Sequence, residues 1–468
     1  MYTIRENERE KTDTIIGGYI MSKATILEWF EENKHRYTKM AQDIWDHPQI
    51  AYEEEYASEL QQKALEAEGF TIKQPIGEIE TAFVAEYGQG KPIIGILGEF
   101  DALPGLSQTA TPTKEEVNVG GPGHGCGHNL LGTAGVEAVV ALKNKMEKDG
   151  LTGTIRYYGC PAEEVLNGKT HMAKAGVFDD LDTALTWHPM TRNAPMNKRM
   201  QSMVSIKFHF KGKPAHAAAS PEAGRSALDS VEIMNIGVNY LREHVPDGTR
   251  MHYTITDGGL APNIVPESAS VWYFLRAGSK EEVEGILHRV KNIAKGAALM
   301  NETEVDSEIL AFAYDTLPND ALNELMYNNM LESASLKYTD EEKKFVESLA
   351  KSLPSAGKSF EELIPTSISF NPYQPGVSMP GSTDVGDVSW IAPTGMVTTT
   401  CAPVGTALHS WQATASFGTE IGYKGMHLAA STMALTAYDL LNNKDNILDK
   451  AKEEFDKLRD GKEYQAGI

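Results

Sequence analysis

The chain has 468 residues, 43 Lys and Arg against 65 Asp and Glu, and a formal net charge of −22. Hydrophobic residues make up 41% and charged residues 23%, which excludes a disordered or fibrous chain, and at ~150 residues per domain the length predicts two or three domains. The acidic balance excludes a general nucleic-acid binder, which needs a basic face, and docking on anionic membranes.

The opening stretch MYTIRENEREKTDT is charged and lacks an apolar core, so it does not read as a secretory signal. Residues 1–20 carry little pattern and are expected to be a loose extension. Met21 opens MSKATILEWF, where Ser22 can cap a helix. Two strand-like runs follow, TAFVAEYG (81–88) and KPIIGILGEF (91–100), then the Gly-rich loop GGPGHGCGHNLLG (120–132) and a helix from about Gly135. TIRYYGCP (154–161) and TALTW (183–187) read as further strands. Strands alternating with helices predict an α/β domain with a largely parallel sheet. Apolar runs such as Ile93 to Leu97 fall far short of the ~18 residues of a membrane span.

Near residue 200 the pattern changes. MVSIKFHFKG alternates, placing Val204, Ile206, Phe208 and Phe210 on one face. A helix is predicted from Gly224 to His244, then the strands MHYTIT (251–256) and ASVWYFLRAG (269–278). A second helix, Lys280 to Met300, carries Val283, Ile286, Leu287, Val290 and Ile293 as its apolar stripe, and EVDSEILAFAY (304–314) closes the unit. This β-α-β-β-α-β order predicts a ferredoxin-like domain inserted into the larger one. The expected boundaries are 21–199 and 316–468 for the two parts of the larger domain and 200–315 for the insert. Residues 338–375 read as a surface insertion with a charged helix. MVTTTCAPVG (396–405) predicts a strand, and a long helix forms around MHLAASTMALTAYDLL.

Candidate metal ligands stand close after predicted strands: Asp101 in EFDALP, Cys126 and His128 in GHGCGHN, Glu163 and Glu164 in PAEE, His188 in WHP and His409 in ALHS. Open α/β sheets bind ligands beyond the carboxyl ends of their strands, so loops distant in sequence can converge on one rim. Cys-Gly-His offers a thiolate and an imidazole on a flexible loop, both good ligands for zinc and similar ions. Singly, a cysteine is more often a small buried hydrophobe; it is the coincidence that favours a metal. A phosphate cradle at 120–127 lacks the Gly-Lys-Ser/Thr ending and the dinucleotide glycine spacing. In the glutamate pair, one carboxylate can bind metal while its neighbour takes a proton from water acidified to a pKa of ~7. Cys126, Cys160 and Cys401 form no disulfide framework and predict a reducing, cytoplasmic setting.

The ordered set GEFDALPG, GHGCGHNLLG, GCPAEE, WHP, KGKPAHAA, APNIVP, GSTDVGDVSW and GTALHSW resembles the M20 metallopeptidase family, in its aminoacylase-like amidohydrolase branch, over about Met21 to Leu440. The resemblance implies a zinc-peptidase-like catalytic α/β domain with two divalent metal ions per subunit, zinc or manganese with cobalt as a third option. It also implies an inserted lid through which a homodimer forms. By matching motif, it implies Cys126, His128, Glu164, His188 and His409 as ligands, Glu163 as general base, and Asp101 as an orienting partner. His216, Asn263 and Arg276 match positions that contact the scissile carbonyl and the substrate carboxylate. Two departures stand out. The histidine usual two residues before Asp101 is Glu99, and Cys126-Gly-His128 replaces the usual bridging aspartate. The implied reaction is hydrolysis of an amide whose leaving amine is an amino acid. p-Aminobenzoyl-glutamate is the expected substrate, and other N-acyl or indole-acetyl amino acids or dipeptides are the alternative. A non-catalytic partner of a related chain is the reading from another class.

Overall fold

The computed structural model describes residues 23–468; the extension expected over residues 1–20 and the Ser22 cap lie outside them. Seven strands precede the insert: β1 (Thr71–Lys73), β2 (Phe83–Gln89), β3 (Ile93–Glu99), β4 (Gly153–Cys160), β5 (Thr183–Met190), β6 (Ala194–Pro195) and β7 (Arg199–Met200). The insert holds β8 (Ser202–Lys211), β9 (Arg250–Asp257), β10 (Ser268–Ala277) and β11 (Glu304–Ala313), and β12 (Ser378–Met379) and β13 (Thr394–Thr400) follow.

The larger sheet runs β1-β2-β4-β3-β5-β13-β6. Its centre, β4-β3-β5-β13, is parallel. β2 and β6 run antiparallel to their neighbours and β1 to β2, so the expected parallel character holds for the centre alone. The central strands are apolar throughout because both sheet faces are covered. On one face lie the N-terminal helix that ends at Asp46 and helices His128–Asp149, Asp320–Ser333 and Glu420–Leu441, packed around Leu130, Val139, Met326 and Met433. On the other, helices Gly168–Lys174 and Val385–Ser389 bury Met172, Val385 and Val388 against Leu97 and Tyr158. The strand expected over 396–405 is instead β13, displaced toward the N-terminus.

The smaller sheet is antiparallel in the order β11-β8-β10-β9. Helices Ala227–Leu241 and Lys280–Met300 cover one face, each started by a serine, Ser226 or Ser279, whose hydroxyl accepts an N–H of the first turn. Val204, Ile206, Phe208 and Phe210 pack against Val231, Met234, Val283 and Val290, each buried side chain contributing about 1.5–3 kcal/mol. A tie at the junction holds this layer on the larger one: the Gln201 N–H donates to Gly381 O at 2.8 Å. Among the described residues, no helix is long and apolar enough to cross a membrane.

Candidate metal centre

The parallel strands aim their carboxyl ends at one rim, and most candidate residues stand on it. Asp101 follows β3, and Glu163 and Glu164 form a single 3-10 turn after β4. That turn is entered through Ala162 at φ 57, a conformation unfavourable for a residue with a Cβ. The Glu54 carboxylate holds it there by accepting the Ala162 N–H at 2.9 Å. His188 lies within β5, not after a strand ending at 187. His128 opens a helix that was expected only from Gly135, so Cys126 and His128 stand on a helix N-terminus and not on a flexible loop. The glycines that suggested a loop serve close packing. A Cβ at Gly132 would lie 2.6 Å from Glu99 O, and one at Gly135 2.6 Å from the Tyr157 ring. His409 adopts φ 60, and its N–H donates to Gly125 O at 3.0 Å, which folds its loop over Cys126.

The side chains converge. Cys126 Sγ is 3.4 Å from His188 Nε2, and His409 Nε2 is 3.4 Å from Glu164 Oε2. Asp101 orients two of them: Oδ1 lies 2.8 Å from His128 Nδ1, and Oδ2 accepts the Glu164 N–H at 2.8 Å. His188 Nδ1 is fixed 2.9 Å from Pro189 O. The donor atoms of Cys126, His128 and His188 all lie within 4.8 Å of one another; so do those of Cys126, Glu164 and His409, and those of Glu99, His128 and Glu163. His128 Nε2 and Glu164 Oε1 are buried with no hydrogen-bond partner, a condition that costs about 1–3 kcal/mol per group. Cations held by the two donor groups, one at each of these atoms, would satisfy both, so the residues present fit metal ions. A thiolate with imidazoles and a carboxylate suits zinc first, with manganese or cobalt accepted by the oxygen and nitrogen donors.

The electrostatics agree. Burial pushes the Cys126 thiol up, aided by Glu164, and lifts Glu164 to about 7. Burial, reinforced by the charges of Glu99 and Asp384, holds Glu163 well above the usual carboxylate range. His188 is pushed down to about 4 by burial and then by His128, and His409 is lowered by the same two causes. For His128, burial opposes the proton, but the charges of Cys126 and Asp101 outweigh it and hold the ring well above its ordinary value. Buried donors whose anionic forms lack a counter-charge create a place for positive charge.

The remaining candidates lie on the inserted domain. Arg276 is half-buried at the end of β10, its Nη1 3.5 Å from Pro380 O and 3.4 Å from Ser382 Oγ. Burial lowers its pKa, against the charge of Glu163, which marks it as a neighbour of the cluster. His216 and Asn263 are exposed on two facing loops, joined where the Ala217 N–H donates to Asn263 O at 3.0 Å. His216 Nδ1 accepts the N–H groups of Ala218 and Ala219 at 3.2 and 3.1 Å, which leaves Nε2 as the ring N–H donor. No hydrogen bond or ion pair among the described residues links either residue to the cluster. Sequence reasoning also passed over Lys169 and Asp384, which lie buried behind Glu99. Lys169 sits in an ordinary polar helix start, GKTH, and nothing in the sequence marks it as buried.

Comparisons with known proteins follow the same lines. A peptidase dimerisation domain family matches residues 200–301. Over 467 residues, 95% of this chain and 96% of the other, the chain is 42% identical to one of the subunits of the p-aminobenzoyl-glutamate hydrolase of Escherichia coli K12. It is 29% identical to a Xaa-Arg dipeptidase of Mus musculus over 92% of each chain. A solved dinuclear metal-binding peptidase of the M20 family from Bacillus subtilis shares the fold, with a TM-score of 0.57 at 17% identity, covering 88% of this chain and 99% of that one.

Proposed function

The chain belongs to the M20 peptidase family, and from that membership and the buried donor cluster we propose that it is a metal-dependent amidohydrolase cleaving N-acyl amino acids, p-aminobenzoyl-glutamate first. The observation that carries this reading is that Cys126 belongs to two donor groups at once. One thiolate can then be shared by two divalent cations, one completed by His128 and His188, the other by Glu164 and His409. Cations held there would polarise the scissile carbonyl and make water acidic enough to ionise near neutral pH.

The protein's own residues supply the rest. Glu163, beside the cluster with a proton affinity raised by burial and by its acidic neighbours, takes the proton of the attacking water and returns it to the leaving nitrogen. Arg276 and Asn263 hold the α-carboxylate, the guanidinium by a two-point clamp. His216 donates its Nε2–H to the developing oxyanion. Its loop is exposed, lacks any bond to the cluster of its own chain, and lies on the domain that matches a dimerisation family. We therefore assign it to the neighbouring site of a homodimer. An anionic substrate suits a chain of charge −22 because the local field of two cations and Arg276 outweighs a distant acidic surface. Three free, buried cysteines support a cytoplasmic setting.

The Escherichia coli relative is one subunit among others of its hydrolase, which supports a second reading, in which a related partner chain is needed. The Xaa-Arg dipeptidase relative favours dipeptides as the next substrate class. Purified, metal-reconstituted chain assayed alone on a panel of amides tests these together. Turnover of p-aminobenzoyl-glutamate, a requirement for the α-carboxylate and loss on chelation are expected. A fully active Glu163→Ala variant would refute the base assignment, and a metal-loaded chain inactive on every amide would favour the need for a partner chain.

A further inference from the structure

One buried side chain of the cluster has no role in that assignment. Glu99 ends β3 and is 2% exposed. Its Oε1 accepts a hydrogen bond from Lys169 Nζ at 2.5 Å, while Oε2 lies 3.2 Å from His128 Nε2. Lys169 is fully buried. Its ammonium also donates to Asp384 Oδ1 at 2.6 Å, and its backbone N–H to Asp384 Oδ2 at 2.8 Å. Asp384 therefore pins Lys169, and Lys169 pins Glu99 with one oxygen committed and the other turned inward.

The inward oxygen faces an atom without a partner. His128 Nε2 is fully buried and makes no hydrogen bond, although Glu99 Oε2 is close. Two ligand atoms on one ion, with bonds of about 2.0–2.3 Å and angles between octahedral and tetrahedral, stand about 2.8–3.6 Å apart. The Glu99–His128 separation falls in that window, as do the 3.4 Å separations of Cys126 from His188 and of Glu164 from His409.

We propose that Glu99 is a further metal ligand, binding through Oε2 the cation held by His128, with Lys169 as the positioning residue that occupies its other oxygen. The proposal rests on the reading of the cluster as a metal centre. The charges are consistent with it. Glu99, Lys169 and Asp384 together carry one net negative charge, which remains for the cation.

The test is an equilibrium titration of the metal-free full chain with cobalt(II), read by the thiolate-to-cobalt absorption that reports Cys126. Wild type binds with that absorption. Glu99→Gln keeps the shape of the side chain and removes its charge; it is expected to keep the absorption and to bind at least about tenfold more weakly. Glu137→Gln removes an equally buried carboxylate that faces His427 and touches neither Glu99 nor Lys169, and is expected to bind close to wild type. Should Glu99→Gln not fold, Glu99→Asp, which withdraws the carboxylate by one methylene, carries the same expectation. Unchanged affinity in the Glu99 variant, or equal losses in the Glu99 and Glu137 variants, overturns the proposal and leaves the metal centre standing. Failure of the wild type to bind cobalt at Cys126 removes the metal centre and this proposal with it.

Discussion

Lys169→Met removes a fully buried charge. Lys169 and Asp384 are 0% exposed, and the ammonium holds Glu99 and Asp384 at 2.5 and 2.6 Å. Without it Glu99 still faces His128, but Asp384 has no counter-charge. Breaking a buried pair from one side costs about 3–5 kcal/mol. Protonation sets a ceiling on that cost. Burial already lifts Asp384 to about 6 with Lys169 present, so ionising it stabilises the wild type by only about 1.4 kcal/mol at pH 7 and not at all at pH 5. Without Lys169, Asp384 keeps its proton and forfeits that contribution and no more. The native variant then holds a proton that the native wild type releases, so the loss grows as pH rises through about 6. Urea denaturation of metal-free protein should show a loss through Asp384 of about 1–1.5 kcal/mol at pH 7, shrinking toward zero at pH 5. Asp384→Asn in the same background, which needs no proton, should be more stable than Lys169→Met, and by more at pH 7 than at pH 5. A loss equal at the two pH values, or one that grows as pH falls, would refute the reasoning.

Glu163→Gln should lower kcat by about 10²–10⁴-fold while metal content, measured by elemental analysis, stays at the wild-type level; parallel loss of metal would make Glu163 a ligand instead. Asp387 is lifted to about 7 by burial despite its bond from the Tyr464 hydroxyl, so the stability it contributes is complete below pH ~4 and is lost as pH rises through about 7. The stability difference between wild type and Asp387→Asn should fall by up to about 4 kcal/mol between pH 4 and 8 in denaturant titrations; a difference flat with pH would contradict this. Mixing inactive His216→Ala with inactive Glu163→Gln under conditions that let protomers exchange should restore activity, because one hybrid site would receive both intact side chains. No recovery despite proven exchange would place His216 in its own protomer's site.

The inserted layer was legible because period-two alternation in Val204, Ile206, Phe208 and Phe210 and the helical stripe from Val283 to Val290 each dictate one buried face. The central strands were legible as apolar runs. The start of helix His128–Asp149 was not, because the glycines up to Gly132 resemble loop residues in sequence, whereas Gly132 serves as a close-packing position in the fold. His188 was expected just after a strand ending at 187, yet β5 continues through it and Pro189. The gathering of Asp101, Cys126, His128, Glu163, Glu164, His188 and His409 on one rim follows from parallel strands and motif order. Lys169 and Asp384 are different: a charged residue is legible as buried only once its partners are known, and those partners lie far away in sequence.

Every role proposed for this cluster depends on where cations sit. Crystals of the metal-loaded chain, measured at the metal's absorption edge, give anomalous peaks that locate each ion directly. Two peaks are predicted on either side of Cys126 Sγ, each within about 2.3 Å of the sulfur if the ion is zinc, one beside His128 and His188 and the other beside Glu164 and His409. A map with no peak in bonding reach of Cys126, or with ions held elsewhere on the chain, would contradict it.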